Sequence, residues 1–152
     1  MRSCATTGLR GSFGSPTGSA GTFYYPIQFT NASGAACTLF GYPGVSVVTG
    51  PSGSQVGSRA ARIGTFAPRL VKLAANAVVH ASLQMPNPGV LGTTVCKPVT
   101  VHWLRVYPPG QFTALYISVP TTPNPVQLCT GSHLGGTIAL GIFVVMTGSS
   151  GP

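Results

Sequence analysis

Residues 37–48, CTLFGYPGVSVV, carry the pattern that decides the fold of this chain. A cysteine opens an apolar run, Gly-Tyr-Pro-Gly interrupts it, and a second apolar run rich in valine follows. Short apolar segments separated by proline and glycine are typical of β-strands joined by tight turns. Within Tyr42-Pro43-Gly44-Val45, proline at the second position and glycine at the third favour a type II turn. We therefore predict a strand, a corner and a second strand.

The same device recurs at residues 103–111, WLRVYPPGQ, where Tyr107-Pro108-Pro109-Gly110 follows another strand-like run. Each motif places a tyrosine beside a corner. Turn chemistry favours a structural role for both motifs. An exposed aromatic ring at a corner also suits partner binding, so Tyr42 and Tyr107 form a candidate partner surface if they lie at one end of the fold.

The segments between prolines and glycines alternate with a period of two. This holds for FYYPIQFT (23–30), NAVVHASLQM (76–85) and FTALYISV (112–119), and it is typical of strands with one buried face. No segment combines a helical period with caps. Seven to nine short strands with regular turns predict an all-β fold, an immunoglobulin-like antiparallel β-sandwich. Pro26 inside the first segment predicts an edge strand or a bulge.

One domain accounts for residues 1–152, because the length suits a single core and no repeat indicates a second one. Residues 6–22 read as a Gly/Ser-rich loop region, with a strand beginning near Leu9, and residues 147–152 as a frayed C-terminus. The longest apolar run, 137–146, is shorter than the ~20 residues of a transmembrane helix. We therefore expect a chain that does not span the membrane.

The charge composition is one-sided. The chain has eight Lys and Arg residues and no Asp or Glu, whereas a typical domain is about one quarter charged. Without carboxylates, paired-carboxylate glycosidase chemistry and a Ser-His-Asp triad are excluded, and a calcium site is disfavoured. The three histidines show no metal-ligand spacing with the cysteines. We expect no catalytic residues, no metal and no cofactor.

Half of the basic residues fall within one short segment: Arg59, Arg62, Arg69 and Lys72. With no acid to neutralise them, they form a candidate anion-binding patch for a phosphate-bearing envelope polymer, a lipid headgroup or nucleic acid. A solvated loop and strand edge explains the same residues without a ligand. No nucleic-acid-binding motif accompanies the charge, so sequence-specific nucleic-acid recognition is not expected.

Four cysteines in a chain with few charges are typical of a secreted protein with two disulfides. The interval from Cys4 to Cys37 equals that from Cys96 to Cys129, which favours these two pairs, although four cysteines permit three connectivities. A zinc site is the alternative, but no Cys-x-x-Cys spacing occurs. We expect a protein that is secreted or held in the cell envelope.

Several strings in this order resemble one known family. They are CATTGLR (4–10), FTNASGAACTLFGYPGV (29–45), CKP (96–98), WLRVYPPGQ (103–111) and the last cysteine, Cys129. They are similar to secreted or lipoprotein-borne actinobacterial domains of unknown function, across nearly the whole chain. The resemblance implies an exported domain, an all-β fold and two disulfides, and no catalytic residues. Members usually carry some acidic residues, and this chain has none.

These observations together predict a non-catalytic exported domain with a binding or structural-accessory role. Its expected partner is a protein or an anionic envelope polymer, and it could also be a subunit of a larger surface assembly. The alternative is a secreted protease inhibitor. In that case the loop PNPGVLGTT (86–94), held close to Cys96, would occupy the protease.

Overall fold

The structure is a computed structural model that describes residues 1–151, apart from the side chain of Ser19. Strands make up almost all of its regular structure. In chain order they are β1 Leu9–Phe13, β2 Thr17–Ser19, β3 Thr22–Asn31, β4 Cys37–Phe40, β5 Gly44–Val48, β6 Gln55–Val56, β7 Ala61–Arg62, β8 Leu70–Leu73, β9 Val78–Pro86, β10 Pro98–Thr100, β11 Trp103–Tyr107, β12 Leu115–Ser118, β13 Gln127–Cys129, β14 Gly141–Ile142 and β15 Met146–Thr147. The predicted all-β character is confirmed.

The largest sheet has seven strands and is built on β3 and β9. Its order is β1-β3-β9-β14-β7, with β2 also paired to β3 and β15 also paired to β9. β3 and β9 run antiparallel from Thr22↔Pro86 to Thr30↔Val78. The one face of β3 that the alternating pattern predicts to be apolar is buried, with Ile27 and Phe29 fully covered. β14 and β7 pair in parallel.

A second sheet of four strands, in the order β12-β11-β5-β6, packs its apolar face into the same core. Leu104 and Val106 of β11 and Val45 and Val47 of β5 are buried there. Two small antiparallel pairs, β4–β8 and β10–β13, complete the strands. The side chains of β11 and β5 that point away from the core are therefore free to build a site.

Both disulfides join the predicted partners. Cys4 and Cys37 have their Cα atoms 4.9 Å apart, and Cys96 and Cys129 have theirs 4.5 Å apart. The first bridge fixes the N-terminal segment beside β4, where Ser3 also forms a parallel bridge with Thr38. Each bridge closes a loop with a sequence separation of 33, which stabilises a fold by roughly 4 kcal/mol in the chain-entropy model.

The segment at residues 86–96 differs from the all-strand expectation. It contains two short helices, α1 Pro88–Leu91 and α2 Thr93–Cys96. The Asn87 side chain accepts a hydrogen bond from the Gly89 N–H, and Pro88 stands at the first helical position. An Asn cap followed by proline is a helix start signal, but the helix is too short to show a period. Among residues 1–151, no helix is long and apolar enough to cross a membrane.

Pro26 does not mark an edge strand, because β3 has partners on both sides. The Gly14 N–H donates to the Pro26 carbonyl, and Pro26 lies opposite the break between β1 and β2. The N–H that proline lacks would point toward this break, on the same side as the Pro26 carbonyl, so the missing donor lies outside the residue pairs of β1–β3 and β2–β3. A Cβ at Gly14 would lie 2.5 Å from the Pro26 ring, which accounts for glycine there.

The two Tyr-Pro-Gly corners are built differently. At the second, the Gln111 N–H bonds the Pro108 carbonyl and Gly110 has φ 74°, which are features of a type II turn one residue later than predicted. At the first, Gly44 already belongs to β5, and the left-handed residue is Gly41, with φ 98°. The type II turn predicted over 42–45 is wrong, because Gly41 makes the reversal before the tyrosine.

The C-terminal segment is tied to the large sheet rather than left as a frayed end. Gln28 donates to the Ser149 carbonyl and Ser82 donates to the Gly151 carbonyl. The buried ring of His80 contacts the Gly148 carbonyl through Nδ1 at 2.9 Å. The segment thus covers a polar row on β3 and β9. Pro152, at the end of the predicted frayed stretch, lies outside the described residues.

Candidate anion-binding groove

A groove of about 630 Å³ lies between the outer face of β5 and β11 and the segment 59–62. Three arginines line it: Arg59, Arg62 and Arg105. Tyr107 lines it as well, and between the charges lie small or neutral residues such as Gly44 and Ser46. Basic and aromatic side chains therefore converge on this concave surface.

The pairing of β11 with β5 fixes Arg105 and Tyr107 on the groove side. Arg105 lies opposite Ser46 and Tyr107 opposite Gly44. Directly opposed residues of an antiparallel pair share a face, and along β11 this is the face opposite to buried Leu104. A Cβ at position 44 would make only an ordinary van der Waals contact with the Tyr107 side chain, at 3.6 Å, so crowding does not require glycine there.

Arg105 lies flat across the sheet. Its Nη2 donates to Oε1 of Gln55 at 3.2 Å, and Gln55 belongs to β6, two strands away, so the side chain crosses β5 above Ser46. Its guanidinium carbon lies 5.9 Å from the centroid of the Tyr107 ring. Its Nε is buried and has no acceptor among the described residues. The guanidinium is therefore positioned before any ligand arrives.

Arg62 is positioned by a different tyrosine. Its guanidinium carbon lies 5.3 Å from the centroid of the Tyr42 ring. The Tyr42 hydroxyl donates to the Ile63 carbonyl at 3.0 Å. The Ala60 N–H donates to the Val45 carbonyl at 2.8 Å, which holds the segment 59–62 against β5. A cation over an aromatic face gains about 0.5–1 kcal/mol at an exposed site, and here it also limits the arginine's freedom.

The groove carries positive charge without an internal counter-ion. Arg59 is exposed on its wall and adds a third cation. The chain has no Asp or Glu anywhere, so no side-chain ion pair offsets these guanidiniums. A planar guanidinium presents parallel N–H donors that match a carboxylate or a phosphate in bidentate geometry. The arrangement is suited to holding an anion.

The structure divides the predicted basic patch. Arg59 and Arg62 lie in the groove, whereas Lys72 lies on β8 and Arg69 lines a separate groove beside Val144. The pair Arg59 and Arg62 is close in sequence to the pair Arg69 and Lys72, but the strands place them differently. β7 pairs with β14, whereas the chain enters β8 at residue 70. The four residues therefore do not line one groove.

Arg105 is the groove residue that the sequence analysis missed. A signal was present, because the odd-numbered positions of β11 alternate with buried Leu104 and Val106, which places Arg105 on the same face as Tyr107. The two candidate tyrosines do adjoin one site: Tyr107 lines it, and Tyr42 packs on its Arg62. Tyr42 is partly buried and hydrogen-bonded, so it combines a structural contact with a place beside the groove.

The histidines do not come together. His80 is buried under the C-terminal segment, while His102 and His133 are exposed. Within residues 1–151, no group of three or more His or Cys side chains is placed to hold a metal ion.

Comparison with known families decides the family question. A family model described as "Domain of unknown function (DUF4232)" matches residues 4–137. The chain belongs to the DUF4232 family. No curated protein and no solved structure matches this DUF4232 chain. The matched range holds both disulfides and all three groove arginines, while β14 and β15, which complete the seven-stranded sheet of this DUF4232 chain, follow it.

Proposed function

We propose that this DUF4232 chain is an exported, non-catalytic binding domain that captures an anionic envelope polymer in the arginine groove. We propose in the same way that its packed sheets form an immunoglobulin-like β-sandwich. One observation carries the functional proposal: Arg59, Arg62 and Arg105 converge on one groove in a chain that has no carboxylate side chain. Two of these arginines are already held over tyrosine rings.

Positioned arginines favour binding because less side-chain freedom is lost when the ligand arrives. An arginine side chain that becomes immobile in an interface loses about 0.5–1.5 kcal/mol. Tyr42, Tyr107 and Gln55 already restrict Arg62 and Arg105. The repeated anionic groups of a polymer can engage several guanidiniums at once, and each charge-assisted hydrogen bond contributes about 1.5–3 kcal/mol.

The disulfides support a place outside the cytoplasm. All four cysteines are paired, and no cysteine is free among the described residues. Disulfides of this kind persist in oxidising compartments and are rare in the cytosol. An envelope location would bring the groove into contact with anionic polymers. A structural role in a larger surface assembly would use the same contact between the groove and an anionic polymer.

The inhibitor alternative receives less support from the geometry. It requires an exposed loop at 86–94 that enters a protease in an extended conformation. Instead, α1 and α2 occupy most of this segment, and the Asn87 cap fixes its start. The disulfide is made by Cys96, the last residue of α2, and does not clamp an extended loop.

The proposal is tested by measuring the affinity for linear polyphosphate at low salt. The groove variant combines Arg59→Gln, Arg62→Gln and Arg105→Gln. The control variant combines Arg10→Gln, Arg69→Gln and Lys72→Gln, which removes the same net charge elsewhere on the chain.

We expect the groove variant to lose at least about tenfold in affinity, because charge-assisted hydrogen bonds are removed. The control should lose less than about threefold, since it alters only the long-range field of the protein. An equal loss in both variants, or no binding by the unaltered chain, contradicts the proposed function.

A further inference from the structure

We propose that the outer face of the β4–β8 pair docks on the surface of an anionic lipid bilayer. This surface is separate from the arginine groove, and the inference does not depend on the function proposed for that groove. It is defined by Phe40, Leu70 and Lys72 of the two strands, together with Arg69, which precedes β8 and lines the groove beside Leu70. We refer to it as the β4–β8 patch.

The register of the two strands puts apolar and basic side chains on the same outer face. Phe40 lies opposite Leu70, and Thr38 lies opposite Lys72. The alternate positions, such as Leu39 and Val71, are buried in the core. The core-facing side chains of this pair are thus already buried, and the outer face presents two large apolar side chains beside a lysine.

The exposure of these side chains is high for apolar residues. Phe40 is 56 % exposed and Leu70 is 68 % exposed. A single exposed apolar residue needs no explanation, but two directly opposed ones form a continuous apolar surface. Leu70 extends it into a groove of about 360 Å³ that Phe66 and Met146 also line, with Arg69 on the wall.

The size of the apolar surface argues against a protein as the occupant. A stable protein interface buries roughly 800 Å² on each partner, and two side chains with their short groove supply only part of that. A second copy of this chain is disfavoured further, because each copy carries a net charge of +8 and no acid to pair with Arg69 or Lys72.

An anionic bilayer matches both the small apolar surface and the positive charge of the β4–β8 patch. A peripheral protein needs only a few apolar side chains at the boundary of headgroups and acyl chains, together with cations that meet acidic headgroups. Phe40 and Leu70 supply the apolar contact, and Arg69 and Lys72 supply the charge.

The test is co-sedimentation of the full chain with lipid vesicles at low salt. One set of vesicles is phosphatidylcholine alone, and the other is phosphatidylcholine with phosphatidylglycerol. The patch variant combines Phe40→Ser and Leu70→Ser. The matched control is Phe112→Ser, which removes an exposed phenylalanine, 96 % accessible, from the loop after the second corner.

We expect the unaltered chain to bind the phosphatidylglycerol vesicles and to be released by high salt, since the attraction is partly electrostatic. The Phe40→Ser/Leu70→Ser variant should lose at least about tenfold in the partition coefficient, as two apolar side chains are removed from the lipid boundary. Phe112→Ser should bind like the unaltered chain.

A second variant, Arg69→Gln/Lys72→Gln, keeps the test decisive if the serine variant does not fold, and it should lose several-fold in partitioning. Three results overturn the proposal: no binding to either vesicle, equal binding to both vesicles, or full binding by the patch variants. Loss of vesicle binding only in the Arg59→Gln/Arg62→Gln/Arg105→Gln variant also overturns it, because the lipid would then occupy the groove.

Discussion

The guanidinium carbon of Arg62 lies 5.3 Å from the centroid of the Tyr42 ring, while the hydroxyl of the same tyrosine donates to the carbonyl of Ile63. Tyr42 thus holds two successive residues of one segment, one through its ring and one through its hydroxyl. The corner at residues 41–44 therefore serves the fold and the groove together. The same tyrosine therefore combines a structural hydrogen bond with a position beside the groove.

Replacement of Tyr42 separates its two contacts. Tyr42→Phe keeps the ring beneath Arg62 and removes the hydrogen bond to Ile63. We expect it to lower the free energy of unfolding by about 0.5–1.5 kcal/mol and to change polyphosphate affinity by less than about twofold. Denaturant unfolding and a binding titration measure the two effects.

Tyr42→Leu removes the aromatic face as well. We expect a further loss of several-fold in polyphosphate affinity, because Arg62 is no longer held over a ring. Equal affinities for the phenylalanine and leucine variants would show that the ring contact does not contribute to binding.

Gly131 is predicted to be intolerant of a side chain. A Cβ at this position would collide with the Val95 carbonyl oxygen, and the Gly131 N–H bonds the Cys96 carbonyl at 3.0 Å. Neither backbone segment moves easily, because the Cys96–Cys129 disulfide joins them. Gly131→Ala should therefore lower the free energy of unfolding by at least about 2 kcal/mol.

Gly64→Ala is the matched control for Gly131→Ala. A Cβ at Gly64 meets no described atom within 4 Å, and no positive φ constrains the position. This variant should change the free energy of unfolding by less than about 0.5 kcal/mol. If the two alanine variants unfold at the same denaturant concentration, the close approach of residues 95 and 131 is refuted.

We predict that the free energy of unfolding falls in alkali because of Tyr25. Burial raises the pKa of Tyr25 above its ordinary value, and the ring stacks on Phe13 at 5.0 Å between centroids. Below about pH 10 the residue is protonated in both the folded and the unfolded state, so the stability is fully present. As the pH rises from there toward the folded pKa, the unfolded chain ionises first and the free energy of unfolding falls.

Stability measured from pH 8 to pH 11 tests this dependence. Tyr25→Phe removes the ionising group and should make the curve flatter than that of the unaltered chain above about pH 10. Curves of the same slope for the two proteins would be inconsistent with a buried, protonated Tyr25.

In acid the chain should be unusually insensitive to pH. Acid unfolding mostly reflects carboxylates that lose favourable partners when they are protonated, and this sequence has no Asp or Glu. We expect the free energy of unfolding to change by less than about 1 kcal/mol between pH 5 and pH 2. Circular dichroism during denaturant unfolding measures this, and a steep loss near pH 4 would oppose the expectation.

Much of the fold can be predicted from local pattern. Alternation along 23–30 and 76–85 predicts β3 and β9, and equal cysteine intervals favour the disulfide pairs that form. The strands follow from residues that are neighbours in sequence, and the disulfide pairs follow from the spacing of the four cysteines. The helices at 88–96 escape such analysis, because four residues are too few to show a helical period.

The site is less predictable, because it depends on which strands become neighbours. Arg105 contacts Gln55 because β11 and β6 both pair with β5, which brings residues distant in sequence into one sheet. Arg69 leaves the basic patch because the chain crosses to β8 between residues 62 and 70. The corner at Tyr42 differs from the predicted type II turn for a similar reason. Pairing with β11 extends β5 back to Gly44, and the left-handed residue is Gly41.

The most direct test of the arginine groove is nuclear magnetic resonance of the arginine Nε–Hε groups during titration with linear polyphosphate. We predict that the signals of Arg59, Arg62 and Arg105 shift together and saturate at one ligand concentration, while those of Arg10 and Arg69 move little. Shifts of similar size at these five of the six arginines, or shifts confined to Arg10 and Arg69, would contradict the groove as the binding site.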